Sequence, residues 1–348
     1  MNAKPDRAYG AGRVLIGIGG PALDARDRAA LHHPATGGVV LFTRNYESPV
    51  QLKALTRAIR AAASRELLIT VDHEGGRVQR FRKGFTRLPP LRVLGRLYDD
   101  YPERAMDMAY RHARVMATEL LLCGVDLSFA PVLDLDRASQ VIGDRAFAGT
   151  VQTVVALAAH YLAGMHDAGM KTCGKHFPGH GSAAADSHVA DVSDERGLEA
   201  LEALDIAPFR ALLDELDCLM MAHVAYPAIA AEPAGYAPFW IRDYLRGTLG
   251  YRGLVLSDDL GMHAAGFAGK LPDRMRLSFA AGCDAVLVCD PQDVSTLYRA
   301  LEVTARQEPD VLIALRGGQP HTEEELASVA EWAHWQASLE SLERSKWA

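Results

Sequence analysis

Leu254-Val-Leu-Ser-Asp-Asp-Leu-Gly-Met262 begins as a short apolar run and ends in two carboxylates and a glycine. Such a run reads as a strand that delivers a carboxylate, Asp258, to the rim of a sheet. With its strand at 254–256, it has seven counterparts, at 14–18, 38–42, 67–71, 127–133, 170–173, 218–222 and 285–288. Stretches with apolar residues at helical spacing lie between them, at 49–63, 103–122, 151–168, 198–216, 241–249 and 294–305. Gly124, Gly169 and Gly250 close helices just before the next strand, where a left-handed stop costs least. Eight strands alternating with helices predict an α/β fold, a (β/α)8 TIM-barrel-type parallel barrel rather than an open doubly wound sheet, because a closed barrel leaves no edge strand.

The 348 residues, 49% of them hydrophobic, are enough for one large domain with a well-buried core. No linker, repeat or low-complexity tract marks a second one, so the expected organisation is a single catalytic domain over 1–348. A C-terminal helical tail from about 307 to 348 carries Trp332, Trp335 and Trp347 and is expected to pack on the barrel. The formal net charge of -7 argues against a nucleic-acid or anionic-membrane surface. Cys123, Cys173, Cys218, Cys283 and Cys289 are scattered through apolar runs and read as buried thiols of a reducing compartment. The first apolar run is short and broken by glycines, so it suits neither a signal peptide nor a membrane span; a cytoplasmic location is expected.

In barrels of this type, chemistry sits at the carboxyl ends of the strands. The sequence places Asp72 and Glu74, Asp134, Lys175 and His176, His223, Asp258 and Asp259, and Asp290 there. Any one of them alone suits a helix cap or a solvated loop; their convergence on one rim is what carries weight. In the stretch 71–80, Asp72 can accept bonds from sugar hydroxyls, Gly75 and Gly76 permit close ligand approach, and Arg80 can steady a carboxylate or a carbonyl.

The segment Lys175-His-Phe-Pro-Gly-His-Gly-Ser-Ala-Ala-Ala-Asp-Ser-His188 is densest in titratable groups. It has three readings. His176, His180 and His188 with Asp186 could hold a transition metal, although Lys175 would repel a cation. Lys175 could form a Schiff base if burial depressed its pKa. Alternatively, Lys175 and His176 hold substrate hydroxyls while His188, oriented by Asp186, exchanges a proton with a leaving oxygen. This last reading needs a carboxylate nucleophile, and Asp258 supplies one, as glycoside cleavage with retention requires.

Four motifs now stand in order: Asp-His-Glu-Gly-Gly-Arg-Val-Gln-Arg at 72–80, Ile-Gly-Asp-Arg-Ala-Phe at 142–147, Lys-His-Phe-Pro-Gly-His-Gly at 175–181 followed by Asp-Ser-His at 186–188, and Ser-Asp-Asp-Leu at 257–260. Together they resemble the glycoside hydrolase family 3 β-N-acetylglucosaminidases of bacterial cell-wall recycling. The resemblance implies a nucleophile at Asp258, an Asp186–His188 acid/base dyad, and sugar contacts from Asp72, Arg80, Arg145, Lys175 and His176. It implies a small sugar substrate ending in N-acetylglucosamine, either a muropeptide carrying 1,6-anhydro-N-acetylmuramic acid or a chitooligosaccharide, with no metal or organic cofactor. It also implies the single-domain form of the family. His73 stands where glutamine is usual and Gly261 where serine is usual, which bears on subsite preference. The other readings are a phosphorylase of the same family, a metal-dependent hydrolase and a non-catalytic sugar-binding barrel. Oligomeric state is not legible.

Overall fold

A computed structural model describes residues 12–183, 192–301, 310–318, 330–345 and 347. Its centre is an eight-stranded, all-parallel sheet: β1 Val14–Gly17, β2 Thr36–Leu41, β3 Leu68–Val71, β4 Leu127–Ser128, β5 Cys173–Phe177, β6 Cys218–Met221, β7 Leu254–Asp259 and β8 Ala285–Val288. The strands lie in the order β4-β3-β2-β1-β8-β7-β6-β5. The chain that continues from β4 then closes the ring. Cys173 N donates to Ala130 O at 2.8 Å, and Leu133 N donates to Lys175 O at 2.8 Å. Val132 and Lys175 form a parallel bridge there. This closure is why the strands are continuous apolar runs: each is covered outside by helices and inside by its neighbours.

The helices follow from caps and stripes. Ser48 Oγ accepts from Gln51 N at 3.2 Å to start the helix Pro49–Ala62, whose Leu52, Leu55 and Ile59 are buried against the barrel. Asp290 starts the helix Pro291–Ala300 in the same way, accepting from Gln292 N at 2.7 Å. Two further helices, Leu91–Asp100 and Pro102–Leu122, follow β3. Gly95 is needed in the first, because a Cβ there would lie 1.8 Å from Phe147 O. That close approach seats the 142–147 segment on the barrel.

Four expectations need correction. The fourth strand is Leu127–Ser128 rather than 127–133, and its continuation meets the next strand through the isolated bridge at Val132. The fifth strand is Cys173–Phe177 rather than 170–173. Thr172, just before it, is turned outward to Asp217, with its N–H 3.0 Å from Oδ2, and Lys175 and His176 belong to the strand because buried carboxylates receive them. The helix expected at 198–216 is broken into Leu198–Ala203, Ala207–Ala211 and a 3-10 turn, Leu213–Glu215. Pro208 opens the second piece, and Asp205 turns inward to Arg196 at 2.8 Å. The segment expected at 241–249 winds as a π-helix, Phe239–Thr248.

The tail supplies a helix, Ala330–Glu343, that packs Leu339 and Leu342 into the core. Among the described residues, no helix is long and apolar enough to cross a membrane.

Candidate active site

The extended chain just beyond β3 doubles back as a short hairpin, His73–Gly75 against Val78–Gln79. Gly75 and Gly76 make the turn with φ of 102° and 53°, values that favour glycine. Their faces meet Pro89 and Pro90 rather than the cavity, so their task is the turn and not close ligand approach. Residues 72 and 74 then lie on one side of an extended chain, and both meet Lys175 from β5. The Lys175 ammonium lies 2.6 Å from Asp72 Oδ1 and 2.6 Å from Glu74 Oε1. Arg145 approaches Glu74 from the far side in a two-pronged pair, with Nε and Nη2 both at 2.8 Å. Arg80 Nη2 stands 3.7 Å from Asp72 Oδ2.

Burial opposes the charges of Lys175, Glu74 and Arg145, and the pairing overrides it. Burial would lower the Lys175 pKa, but Asp72 and Glu74 raise it above its ordinary value. Burial would raise Glu74, but Arg145 and Lys175 hold it far below the carboxylate range. Lys175 is therefore an ammonium, and the Schiff-base reading, which needs a depressed pKa, is set aside. Lys175, Arg145 and Arg80 bring three positive charges against two from Asp72 and Glu74. The one positive charge left over faces the end of β7.

Asp134, at the end of the β4 extension, organises the other side. Its Oδ2 accepts from His176 Nδ1 at 2.7 Å and from His176 N at 3.1 Å, and its Oδ1 accepts from His180 N at 2.7 Å. Although burial would raise it, His176 and His180 hold Asp134 below its ordinary pKa. A carboxylate can only accept, so Nδ1 of His176 carries a proton and Nε2 is the ring's remaining polar atom.

Asp258 stands on β7, which is paired to β6 on one side and β8 on the other. Asp259 N donates to Asp258 Oδ1 at 2.8 Å. Burial pushes the Asp258 carboxyl up, but His176, His223, that N–H and Lys175 together bring it below its ordinary pKa. Its neighbour behaves oppositely. Asp259 Oδ1 accepts from Gly261 N and Cys289 N, both at 3.0 Å, yet burial pushes the group up to about 6. His223, at the end of β6, is held neutral by burial, and its Nε2 lies 3.1 Å from Asp259 O. The imidazole therefore donates to that carbonyl and steadies the strand end that carries both aspartates.

These networks open onto one cavity of about 680 Å³, lined by Asp72, Arg80, Arg145, Lys175, His176 and Asp258 together with apolar Val40, Phe42, Met220 and Leu287. Asp186 and His188 lie outside the described residues. Asp290 does not line the cavity and acts as the helix cap described above. Across the mouth, the hairpin and the 139–147 loop clasp each other. Arg145 reaches back to Glu74, while Arg77 Nε donates to Asp144 Oδ1 at 2.8 Å and its Nη2 to the carbonyls of Val141 and Ile142. Glu74, Asp134, Asp259 and His223 were visible as rim residues but not as parts of one network. Their partners are distant in sequence, and only the alternation at 72 and 74 hints that Glu74 shares a face with Asp72. Among the described residues, no group of three or more His, Cys, Asp or Glu converges to hold a metal ion.

The sequence and fold have close counterparts among characterised proteins. Residues 14–313 match the glycosyl hydrolase family 3 N terminal domain. A β-hexosaminidase of Stenotrophomonas maltophilia (strain K279a) is 52% identical over 290 residues, which cover 83% of this chain and 87% of the relative. A β-hexosaminidase of Alkalilimnicola ehrlichii is 54% identical over 293 residues, 83% of this chain and 84% of that one. Among solved structures, NagZ from Neisseria gonorrhoeae in complex with N-trifluoroacetyl-D-glucosamine superposes with a TM-score of 0.87 at 41% identity, covering 96% of this chain and 99% of that one. Fold, site and likeness define the class: a glycoside hydrolase, specifically a β-N-acetylhexosaminidase. The chain belongs to glycosyl hydrolase family 3.

Proposed function

We propose that this enzyme is a retaining exo-β-N-acetylglucosaminidase that releases non-reducing terminal N-acetylglucosamine from peptidoglycan fragments, with Asp258 as nucleophile. The observation that carries the reading is Asp258 itself. A carboxylate on a strand paired on both sides, with one oxygen fixed by a backbone N–H and a pKa below its ordinary value, is ionised and immobile at neutral pH. The single unbalanced positive charge of the Lys175 cluster matches it.

In the first step, an Asp258 oxygen forms a bond to C1 as the bond from C1 to the leaving oxygen breaks, and that oxygen takes a proton from His188. In the second, His188 takes a proton from water, the water oxygen bonds to C1, and Asp258 leaves. Asp186 holds the imidazole in the tautomer that permits both transfers. Asp72, Lys175, His176, Arg80 and Arg145 hold the sugar hydroxyls and the acetamido group. The network around them is already charged and paired, so little reorganisation is needed when the sugar arrives. The five cysteines, all buried and none in a disulfide, support a cytoplasmic setting.

The test is intact mass spectrometry after exposure to a 2-acetamido sugar with an activated leaving group and a slowed second step. Wild type should gain the mass of one N-acetylglucosaminyl unit on the 254–262 peptide; Asp258→Ala should gain none and lose nearly all turnover. An adduct elsewhere, or turnover kept in Asp258→Ala, removes Asp258 from the role.

A further inference from the structure

We propose that Arg77 reads a carboxylate on the group attached to the sugar, so that the enzyme prefers acidic aglycones to neutral ones. This deepens the N-acetylglucosaminidase reading above and rests on it.

Side-chain exposure of the cationic residues rises from floor to mouth of the cavity: Lys175 1%, Arg145 11%, Arg80 29% and Arg77 49%. Asp258 and Lys175 occupy the deep part, where the reacting sugar must sit, and a cavity of about 680 Å³ has room for more than one sugar unit. Arg77 lines the same cavity and is the most exposed of these four cations, so a group that extends from the deep sugar toward solvent comes within its reach. Arg77 is not a loose surface residue. Its Nε is held 2.8 Å from Asp144 Oδ1, and its Nη2 is held by the carbonyls of Val141 and Ile142. Those acceptors all belong to the facing loop and fix the plane of the guanidinium. Its Nη1 has no hydrogen-bond partner among the described residues. A fixed guanidinium with one open donor edge suits a planar anion, and most of the side-chain entropy cost is already met by the clasp. A chitin-type aglycone offers only hydroxyls and amides to that edge, whereas one carrying a carboxylate gains a charge-assisted bond. Asp144 offsets part of the positive charge and the site is half open to water, so the preference is modest, about five- to tenfold.

The experiment compares kcat/KM for two disaccharides with N-acetylglucosamine β-linked to an N-acetylmuramic unit, identical except that the lactyl group is a free carboxylate in one and its primary amide in the other. Wild type should favour the acid by about five- to tenfold. Arg77→Gln should bring the ratio close to one. Asp144→Asn should raise it, because the amide oxygen still accepts from Nε while the competing negative charge is gone. Loss of folding or of catalysis in general cancels in the ratio, and the two variants move it in opposite directions. Equal rates in wild type, or a ratio unmoved in Arg77→Gln, overturns the proposal. The neutral 4-nitrophenyl N-acetyl-β-glucosaminide separates the two readings. If wild type hydrolyses it while the ratio is one, only the role of Arg77 fails; if wild type leaves it intact, the glycosidase reading fails first.

Discussion

Two adjacent aspartates on β7 meet opposite fates, because Asp258 faces the imidazoles and Lys175 while Asp259 is turned toward backbone N–H groups and other carboxylates. Asp259 is pushed from 3.8 to about 6 by burial, with Asp258 and Asp293 adding to the effect and the two backbone bonds opposing it. Between pH 3.8 and about 6 the folded protein thus holds a proton there that the unfolded chain has released. The stability this contributes is complete below pH 3.8 and is lost as pH rises through about 6. Asp259→Asn keeps an oxygen for Gly261 N and Cys289 N and never ionises. It should stabilise the protein by ~3 kcal/mol at pH 7 and by only ~0.5 kcal/mol at pH 4. Urea unfolding at the two pH values checks this, and equal gains at both would refute the assignment. At this scale the sequence was informative about residue types at strand ends, and it brought Asp72, Lys175, His176 and Asp258 forward on that ground. It was uninformative about pairing. Nothing near Glu74 in the chain announces that Arg145, 71 residues away, will close on it, or that Asp134 will fix His176.

Among the elements, β1, β2, β3, β6 and β8 were legible to within two residues at each end, whereas β4 stops at Ser128 rather than 133 and β7 runs on to Asp259 rather than 256. The fifth strand was misplaced. Lys175 and His176 looked like the end of an apolar run, yet they sit inside the barrel because Asp72, Glu74 and Asp134 meet them there. The helix expected at 198–216 failed for a different reason: its apolar spacing continues across Pro208, but its backbone cannot. The helix Ala330–Glu343 carries a contact that its tryptophans did not suggest. Gln336 Nε2 lies 3.0 Å from Thr86 Oγ1 and 3.0 Å from Glu119 Oε1, and Thr86 Oγ1 donates to Glu119 at 2.6 Å. Gln79 Nε2 in turn donates to Thr86 O at 2.8 Å, one residue from Arg80. The tail thereby braces the hairpin loop that supplies Arg77 and Arg80. Gln336→Ala should cost about 1 kcal/mol in urea unfolding and raise KM while leaving kcat unchanged. A fall in kcat with KM unchanged would show that the tail supports the chemical step instead.

For the whole molecule, the closed ring explains why the rim residues converge. Strands from every part of the chain end at one face, so residues far apart in sequence share a cavity without any local motif that joins them. The place where the ring closes is also the place where the site is made. Lys175, whose backbone completes the last contact between the two sheet ends, is the residue that gathers Asp72 and Glu74. Ring closure and the appearance of a binding site are then a single event, and no partly closed intermediate can hold a sugar. Refolding from urea should show tryptophan fluorescence and hydrolytic activity recovering at the same final rate, with no active species ahead of it; activity returning before the last fluorescence change would separate the two. A chain cut between β4 and β5 would have to reassemble as two pieces before either could act, so the enzyme could be built as a split reporter whose signal registers only the closing of the circle.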